Sequence, residues 1–402
     1  MHILNKLSRK LPWFPLILLC HNALAVEVCP GQQADATGAA PAAAAIQACI
    51  NQAGAGGTLE LPKGTYLLDQ QLKITFPFTL RTQGLAGVHA TCTLDTECAT
   101  LKAAPGFSAP HGLVSVGADD QHVNHVTLDH VTLDGNRAAR LTGTAHEQCL
   151  KGGHGNAYGF NARMKNCTNC TMTYSASMNA LCGTGMEWWG DHATIENNAF
   201  INNGNRRIVL EWADGLSMHL SNHTVVRGNR FTDNSDIGLI FFGSSHSVVE
   251  NNVIRQEKMP AFAGLMLDSL DTGDFTDTTV SGNIIDCAPG MCDFGVNIGP
   301  RPWYPENLEL VGGTVTGNTV RGGLIGMNVA GIRKTGQAMY IGGNFFEGKW
   351  NKAAVKCFKP ILSVVSVPLS RDPKFAPVKW GRNFQNNVEI NPLVQSTDHC
   401  IN

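Results

Sequence analysis

Apolar residues in this chain recur in short runs, each bounded by Gly, Asn, Asp or Ser, and within a run they alternate with polar positions. Alternation is the period of a half-buried strand, and the runs are too short for helices at 3.6 spacing. A small unit, Gly followed by apolar-x-apolar, keeps returning. It reads Gly159-Phe160-Asn161-Ala162, Gly185-Met186-Glu187-Trp188, Gly215-Leu216-Ser217-Met218 and Gly238-Leu239-Ile240-Phe241. It continues as Gly264-Leu265-Met266-Leu267, Gly295-Val296-Asn297-Ile298 and Gly326-Met327-Asn328-Val329. A second unit trails it, an Asn before an apolar pair, at Asn198, Asn229, Asn252, Asn283, Asn318 and Asn344.

Two markers in fixed order, at steps of 23 to 31 residues, define a solenoid. The strict Leu framework of a leucine-rich repeat is missing. Short strands, several to each repeat, predict an all-β parallel β-helix whose coils stack about 4.8 Å apart. Like residues then stack on like. Phe160, Met186, Leu216, Leu239, Leu265, Val296 and Met327 are expected to form one interior ladder. The Asn column is expected at a left-handed corner, passing amide hydrogen bonds along the stack. An Ala-rich stretch, Ala39 to Ala53, predicts a helix capping the N-terminal end. The pattern dissolves near 350, so 350–402 reads as a C-terminal cap or tail, and 26–349 as the β-helix with its cap.

Composition narrows the setting. Lys6, Arg9 and Lys10 precede an apolar run and then Ala23-Leu24-Ala25, the layout of a secretory signal covering 1–25. Removing three cations and no acid takes the formal charge from −2 to −5. That balance excludes a strongly basic nucleic-acid binder. No later run approaches the ~20 apolar residues of a membrane span. A secreted or periplasmic location follows. The signal carries one of 13 cysteines, and the even remainder suits disulfides. Cys92/Cys98, Cys287/Cys292 and Cys357/Cys400 are candidate pairs. Cys167 and Cys170 have redox or zinc spacing, but no second ligand pair follows.

The segment 46–68, IQACINQAGAGGTLELPKGTYLL, resembles the opening of right-handed β-helix proteins of the pectate-lyase-like superfamily. Gly56-Gly57, Pro62, Gly64 and Tyr66 carry the likeness. It implies a right-handed coil. It does not choose a reaction, because lyases, hydrolases, epimerases and phage depolymerases share this fold.

Residues flanking an inward apolar residue should face out. On the marked strands these are Asn161 and Arg163, Glu187 and Trp189, Ser217 and His219, then Ile240, Phe242, Met266, Asp268 and Asn297. The polar ones gather on the first three coils, a strip suited to a polysaccharide. Asp214 precedes Gly215, and Asp236 falls at nearly the same corner one coil later. Two close carboxylates can divide acid and base roles in glycosidic hydrolysis. Trp212-Ala213-Asp214-Gly215 followed by Asp236-Ile237-Gly238 is similar to the catalytic coils of polygalacturonase-like and α-1,3-glucanase-like hydrolases. Those have an Asp-Asp pair on the second coil, and Ile237 stands here at the second place. Gly153-His154-Gly155 matches a tripeptide of the same enzymes but precedes the aspartates, so it reads as a loop.

The expectation is therefore a secreted enzyme that hydrolyses a polysaccharide with Asp214 and Asp236, assisted by Glu187 or His219. Asn161, Arg163, Trp189, Arg207, Trp212 and Asp268 are the expected substrate contacts. A uronate lyase or C5-epimerase is the alternative, with Arg163, Arg207 and His219 as its candidate residues. A non-catalytic carbohydrate-binding surface protein is the third reading. No cofactor is required. The acidic loop Asp268, Asp271, Asp274, Asp277 offers oxygens to calcium, without EF-hand spacing.

Overall fold

The computed structural model describes residues 25–93, 97–151, 157–208, 210–288, 290–299, 309–323, 325–329, 332, 336–347 and 378–390. The expected signal segment, the Gly153-His154-Gly155 tripeptide and the Cys357/Cys400 pair lie outside these residues. The chain winds through three sheets of 9, 11 and 13 strands, each built almost wholly of parallel neighbours from successive coils.

The nine-stranded sheet carries the Gly-marked strands. Its register runs Leu72, Val114, Ala162, Met186, Leu216, Leu239, Leu265, Val296, Met327, all buried. The expected ladder is correct from Met186 onward. At its start Ala162 takes the place expected of Phe160, because the described residues between 135 and 161 form an insert that breaks the repeat. Asn161 is consequently 0% exposed, not outward. Its amide donates to Ser177 Oγ and to the Leu133 and Met178 carbonyls. A buried amide needs such partners.

Glycine in the marker is required by space. A Cβ on Gly215, Gly238, Gly264 or Gly295 would fall 2.5 to 2.9 Å from the carbonyl oxygen of the next glycine in the column. None of these has a positive φ.

The Asn column is present. Asn198, Asn229, Asn252, Asn283, Asn318, Asn344 and Asn383 are all buried. Each side-chain oxygen from Asn229 onward accepts the preceding Asn's amide at 2.9 to 3.0 Å. The left-handed corner lies one residue earlier, at Asn197, Gly228, Asn251, Gly282, Gly317 and Gly343. Asn and Gly are the residues that tolerate this region. The division of labour explains the recurring Asn-Asn and Gly-Asn pairs.

The N-terminal helix spans Ala43–Ala53, shorter than expected, because Thr37–Pro41 is a strand pairing with Gly64–Leu68. Ile46 and Ile50 bury against the first coil. At the other end, Lys379–Trp380 and Asn383–Gln385 add a further rung beyond position 349, and Asn383–Gln385 pairs antiparallel with Val388–Ile390. Disulfides join Cys29 to Cys49, Cys92 to Cys98, Cys149 to Cys182, Cys167 to Cys170 and Cys287 to Cys292. The Cys167/Cys170 spacing thus serves a bridge, and both cysteines are buried. No described helix is long and apolar enough to cross a membrane.

Candidate functional site

The outer face of the nine-stranded sheet divides in two. Arg163, Glu187 and Ser217 stand in one row on successive strands, and Ile240 and Met266 continue it. A second row passes from Thr184 through Asp214, and its later part holds Ile237, Ala263, Phe294 and Ile325. Ile237, Ile240, Phe242, Ala263, Met266, Phe294 and Ile325 form, with Phe262, a buried apolar cluster separate from the solenoid core. Beside Asp214 the outer face thus changes from polar to apolar, and the first row turns polar again only at the buried Asn297, expected to face outward, and Asn328.

Asp214 lies on that boundary. Its Oδ1 accepts the Ile237 N–H at 3.1 Å, and its Oδ2 lies 2.8 Å from Ser217 Oγ. Burial, then the charge of Asp236, pushes its carboxyl well above the ordinary range. Desolvation and a like charge act in the same direction. Ile237, at the place where the hydrolase pattern has an aspartate, supplies both a backbone donor and an apolar wall. Asp236 is partly exposed and stands 3.9 Å from Arg206 Nη1, whose Nη2 donates to Asp293 at 2.6 Å. Arg207 instead donates to the Lys258 carbonyl and is exposed. It is Arg206 that reaches the carboxylates.

A second polar centre surrounds Glu187 and His219. Arg163 Nε lies 3.0 Å from Glu187 and its Nη2 3.0 Å from Asp119, while Nη1 meets the His111 ring. His219 Nδ1 is 3.0 Å from Asp271, and its Nε2 is 4.0 Å from Glu187. The imidazole is clamped between Trp189 at 4.2 Å and Phe242 at 4.3 Å. Lys165 Nζ covers the other face of Trp189 at 3.6 Å. Both indole faces are occupied, which corrects the expectation that Trp189 stacks on a sugar ring. Trp212, 38% exposed beside Asp214, retains an accessible surface.

Asp268 is 1% exposed, so its carboxyl is not a solvent-facing contact. Burial raises it to about 7 although the Ser269 and Leu270 N–H groups donate to it. The other acids of that loop turn to separate partners: Asp271 to His219, Asp274 to the Thr276 N–H, Asp277 to Gln337 and His246. Among the described residues no three His, Cys, Asp or Glu side chains converge as metal ligands.

The insert walls the Asp214 end. Arg137 donates to the carbonyls of Asn202 and Gly204 on a later coil. The disulfide from Cys149 and a 2.5 Å contact of His146 with the fully buried Glu211 pin the insert's second helix, Thr144–Leu150. Sequence reasoning missed Thr184, Asp293, Glu211 and His146, whose roles arise only when the coils are in register. Ser217 was legible as an outward position, but its bond to Asp214 was not.

Among solved structures, the chain resembles a mannuronan C-5 epimerase A-module of Azotobacter vinelandii. The TM-score is 0.57 and identity 17%, covering 80% of this chain and 78% of that one. It also resembles an endo-xylogalacturonan hydrolase of Aspergillus tubingensis (TM-score 0.53, 12% identity, 90% and 98% covered). An exopolygalacturonase of Thermotoga maritima matches at TM-score 0.50 and 12% identity, with 89% and 90% covered. No curated protein matches by sequence. These likenesses establish the fold and leave the reaction to the side chains. The family profile described as a right handed beta helix region matches residues 122–346, more than half of the sequence, and with the winding above it makes this chain a member of the right-handed β-helix family.

Proposed function

We propose that the protein is a polysaccharide-acting glycoside hydrolase with Asp214 as general acid and Asp236 as its carboxylate partner. The observation that carries this reading is the environment of the pair. Desolvation and the Asp236 charge push the Asp214 carboxyl well above the ordinary range, while Asp236 faces Arg206 at 3.9 Å. A carboxyl raised above the usual range beside a second one that faces a cation is an arrangement acid and base roles can use. Asp214 protonates the leaving oxygen as the glycosidic C–O bond breaks. Asp236 takes a proton from the attacking water, or attacks the carbon itself. Trp212, exposed two residues before Asp214, offers a flat apolar face on this side. The likeness to polysaccharide-acting proteins supports the substrate class.

Elimination or epimerisation of a uronate is the second reading, favoured by one observation. His219 is oriented by Asp271 and stands near Glu187, as a proton-transferring imidazole would. Arg163, the cation beside Glu187, is already paired with Glu187 and Asp119.

The test is the full chain incubated with neutral and acidic polysaccharides, with and without chelator. New reducing ends without an unsaturated-uronate absorbance support hydrolysis. That absorbance, or a changed uronate configuration without cleavage, supports the second reading. Undiminished cleavage by Asp214→Asn removes the proposed acid.

A further inference from the structure

The hydroxyl groups beside Asp214 have a proton count that only one charge state satisfies. Asp214 Oδ2 lies 2.8 Å from Ser217 Oγ, Ser217 Oγ lies 3.0 Å from Thr184 Oγ1, and Thr184 Oγ1 lies 2.9 Å from the Met186 carbonyl oxygen. That is three contacts in series. A Ser and a Thr hydroxyl bring one proton each, and a carbonyl brings none. If Asp214 is ionised, two protons serve three contacts and one fails. If Asp214 carries a proton on Oδ2, every contact has a donor: Asp214 to Ser217, Ser217 to Thr184, Thr184 to Met186. The remaining bonds agree. Asp214 Oδ1 accepts the Ile237 N–H, as the carbonyl oxygen of a neutral carboxyl does, and Thr184 Oγ1 also accepts the Met186 N–H at 3.2 Å. Ser217 and Thr184 are 4% and 2% exposed, so water does not readily replace a missing partner.

We propose that Ser217 and Thr184 are positioning residues that store the acid's proton: a one-way hydroxyl chain, anchored on the Met186 carbonyl, holds it on Asp214 Oδ2 until a substrate oxygen takes Ser217's place as acceptor. The inference deepens the hydrolase reading and rests on Asp214 being its acid. In the reaction one proton leaves Oδ2 for the departing oxygen. Ser217 then turns its own proton onto the carboxylate. The charged groups acting on Asp214 are Asp236 on the next coil and Asp268 further on. Glu187 stands beside Ser217, and Arg206 acts through Asp236.

Thr184→Val tests this because it keeps the side chain's shape and removes the chain's anchor. Ser217 then donates to Asp214 in either state and favours the carboxylate. The Asp214 titration is followed in the intact protein by infrared difference spectroscopy of the carboxyl carbonyl stretch, assigned by its loss in Asp214→Asn. The midpoint is expected to fall by about half a unit to one unit, the size of one hydrogen bond. Thr184→Ser is expected to restore it, and Thr184→Val in a Ser217→Ala background to do nothing further. A midpoint that stays or rises in Thr184→Val overturns the proposal. If that variant fails to fold, Thr184→Ala is read in the same way. No substrate is needed, so the two ideas can fail separately. A midpoint that falls in a protein that cleaves nothing upholds the proton store and removes the hydrolase reading. Asp214-dependent cleavage with an unmoved midpoint does the reverse.

Discussion

Replacing Asn252 with Ala interrupts the amide column at its centre. Asn252 Nδ2 donates to Asn283 Oδ1 and to the Val226 carbonyl, each at 2.9 Å. Its Oδ1 accepts the backbone N–H and the Nδ2 of Asn229, each at 3.0 Å. All four bonds disappear. Asn229 Nδ2 keeps the Ile195 carbonyl, and Asn283 Oδ1 keeps the Asn252 N–H. The Asn229 backbone N–H and the Val226 carbonyl lose this partner in the core. At about 1 to 3 kcal/mol for each buried group left unsatisfied, the loss is about 2 to 6 kcal/mol. Unfolding entropy of about 2 cal/mol/K per residue over a cooperative solenoid makes about 4 kcal/mol a fall in Tm of roughly 5 °C. The assay is thermal unfolding followed by far-ultraviolet circular dichroism. Asn251→Gly is the control. It removes the exposed neighbour while keeping a residue suited to φ 56°. If Asn252→Ala melts no earlier than that control, the column does not stabilise the stack and the reasoning fails.

Asp214→Asn and Asp236→Asn should each cut turnover on a cleaved polysaccharide by about 10²- to 10⁴-fold, measured as reducing-end release. In the intact protein the rate should fall as pH rises through the raised pKa of Asp214, because the acid form is then lost. Asp268 is raised to about 7 in the fold from a reference value of 3.8. Between those values the folded state holds a proton that the unfolded state releases, so stability declines as pH rises across that interval. Asp268→Asn should therefore gain on the parent protein by a few kcal/mol at pH above about 7 and lose that advantage near pH 4, read from Tm against pH. Gly238→Ala places a Cβ 2.6 Å from the Gly264 carbonyl oxygen and should cost about 1 to 3 kcal/mol, whereas Gly106→Ala, with open space around it, should be nearly neutral in the same melt.

The winding was legible because each coil obeys the same local stereochemistry. A glycine that must clear the next rung and an Asn that must bond its neighbour recur at every turn, and recurrence is visible in one dimension. Whether the left-handed residue was the Asn or its predecessor was not visible, since Asn suits both places. The register failed at Phe160 and Asn161 for a different reason. The stretch before Ala162 has no repeat to count from, and the two-residue shift puts Asn161 in the glycine column, level with Gly185, where a side chain meets other chain atoms instead of solvent. Asp214 and Asp236 could be paired from spacing because Asp214 stands at the start of one strand and Asp236 directly before the next, one coil later. Contacts made between coils by loops, such as Asp271 with His219 or Glu211 with His146, follow from loop paths that no period encodes. Trp189 shows the same limit in a side chain. Its alternation was read correctly, but Lys165 and His219 occupy its faces.

The five described disulfides span 20, 6, 33, 3 and 5 residues. None reaches further along the chain than roughly one circuit of the helix. A polypeptide emerging N-terminus first can thus oxidise each bridge as soon as its own neighbourhood has wound, without waiting for a distant thiol. Reduction would loosen the insert, the N-terminal hairpin and three short connections one by one, while backbone pairing, the apolar core and the Asn column continue to hold the stacked rungs.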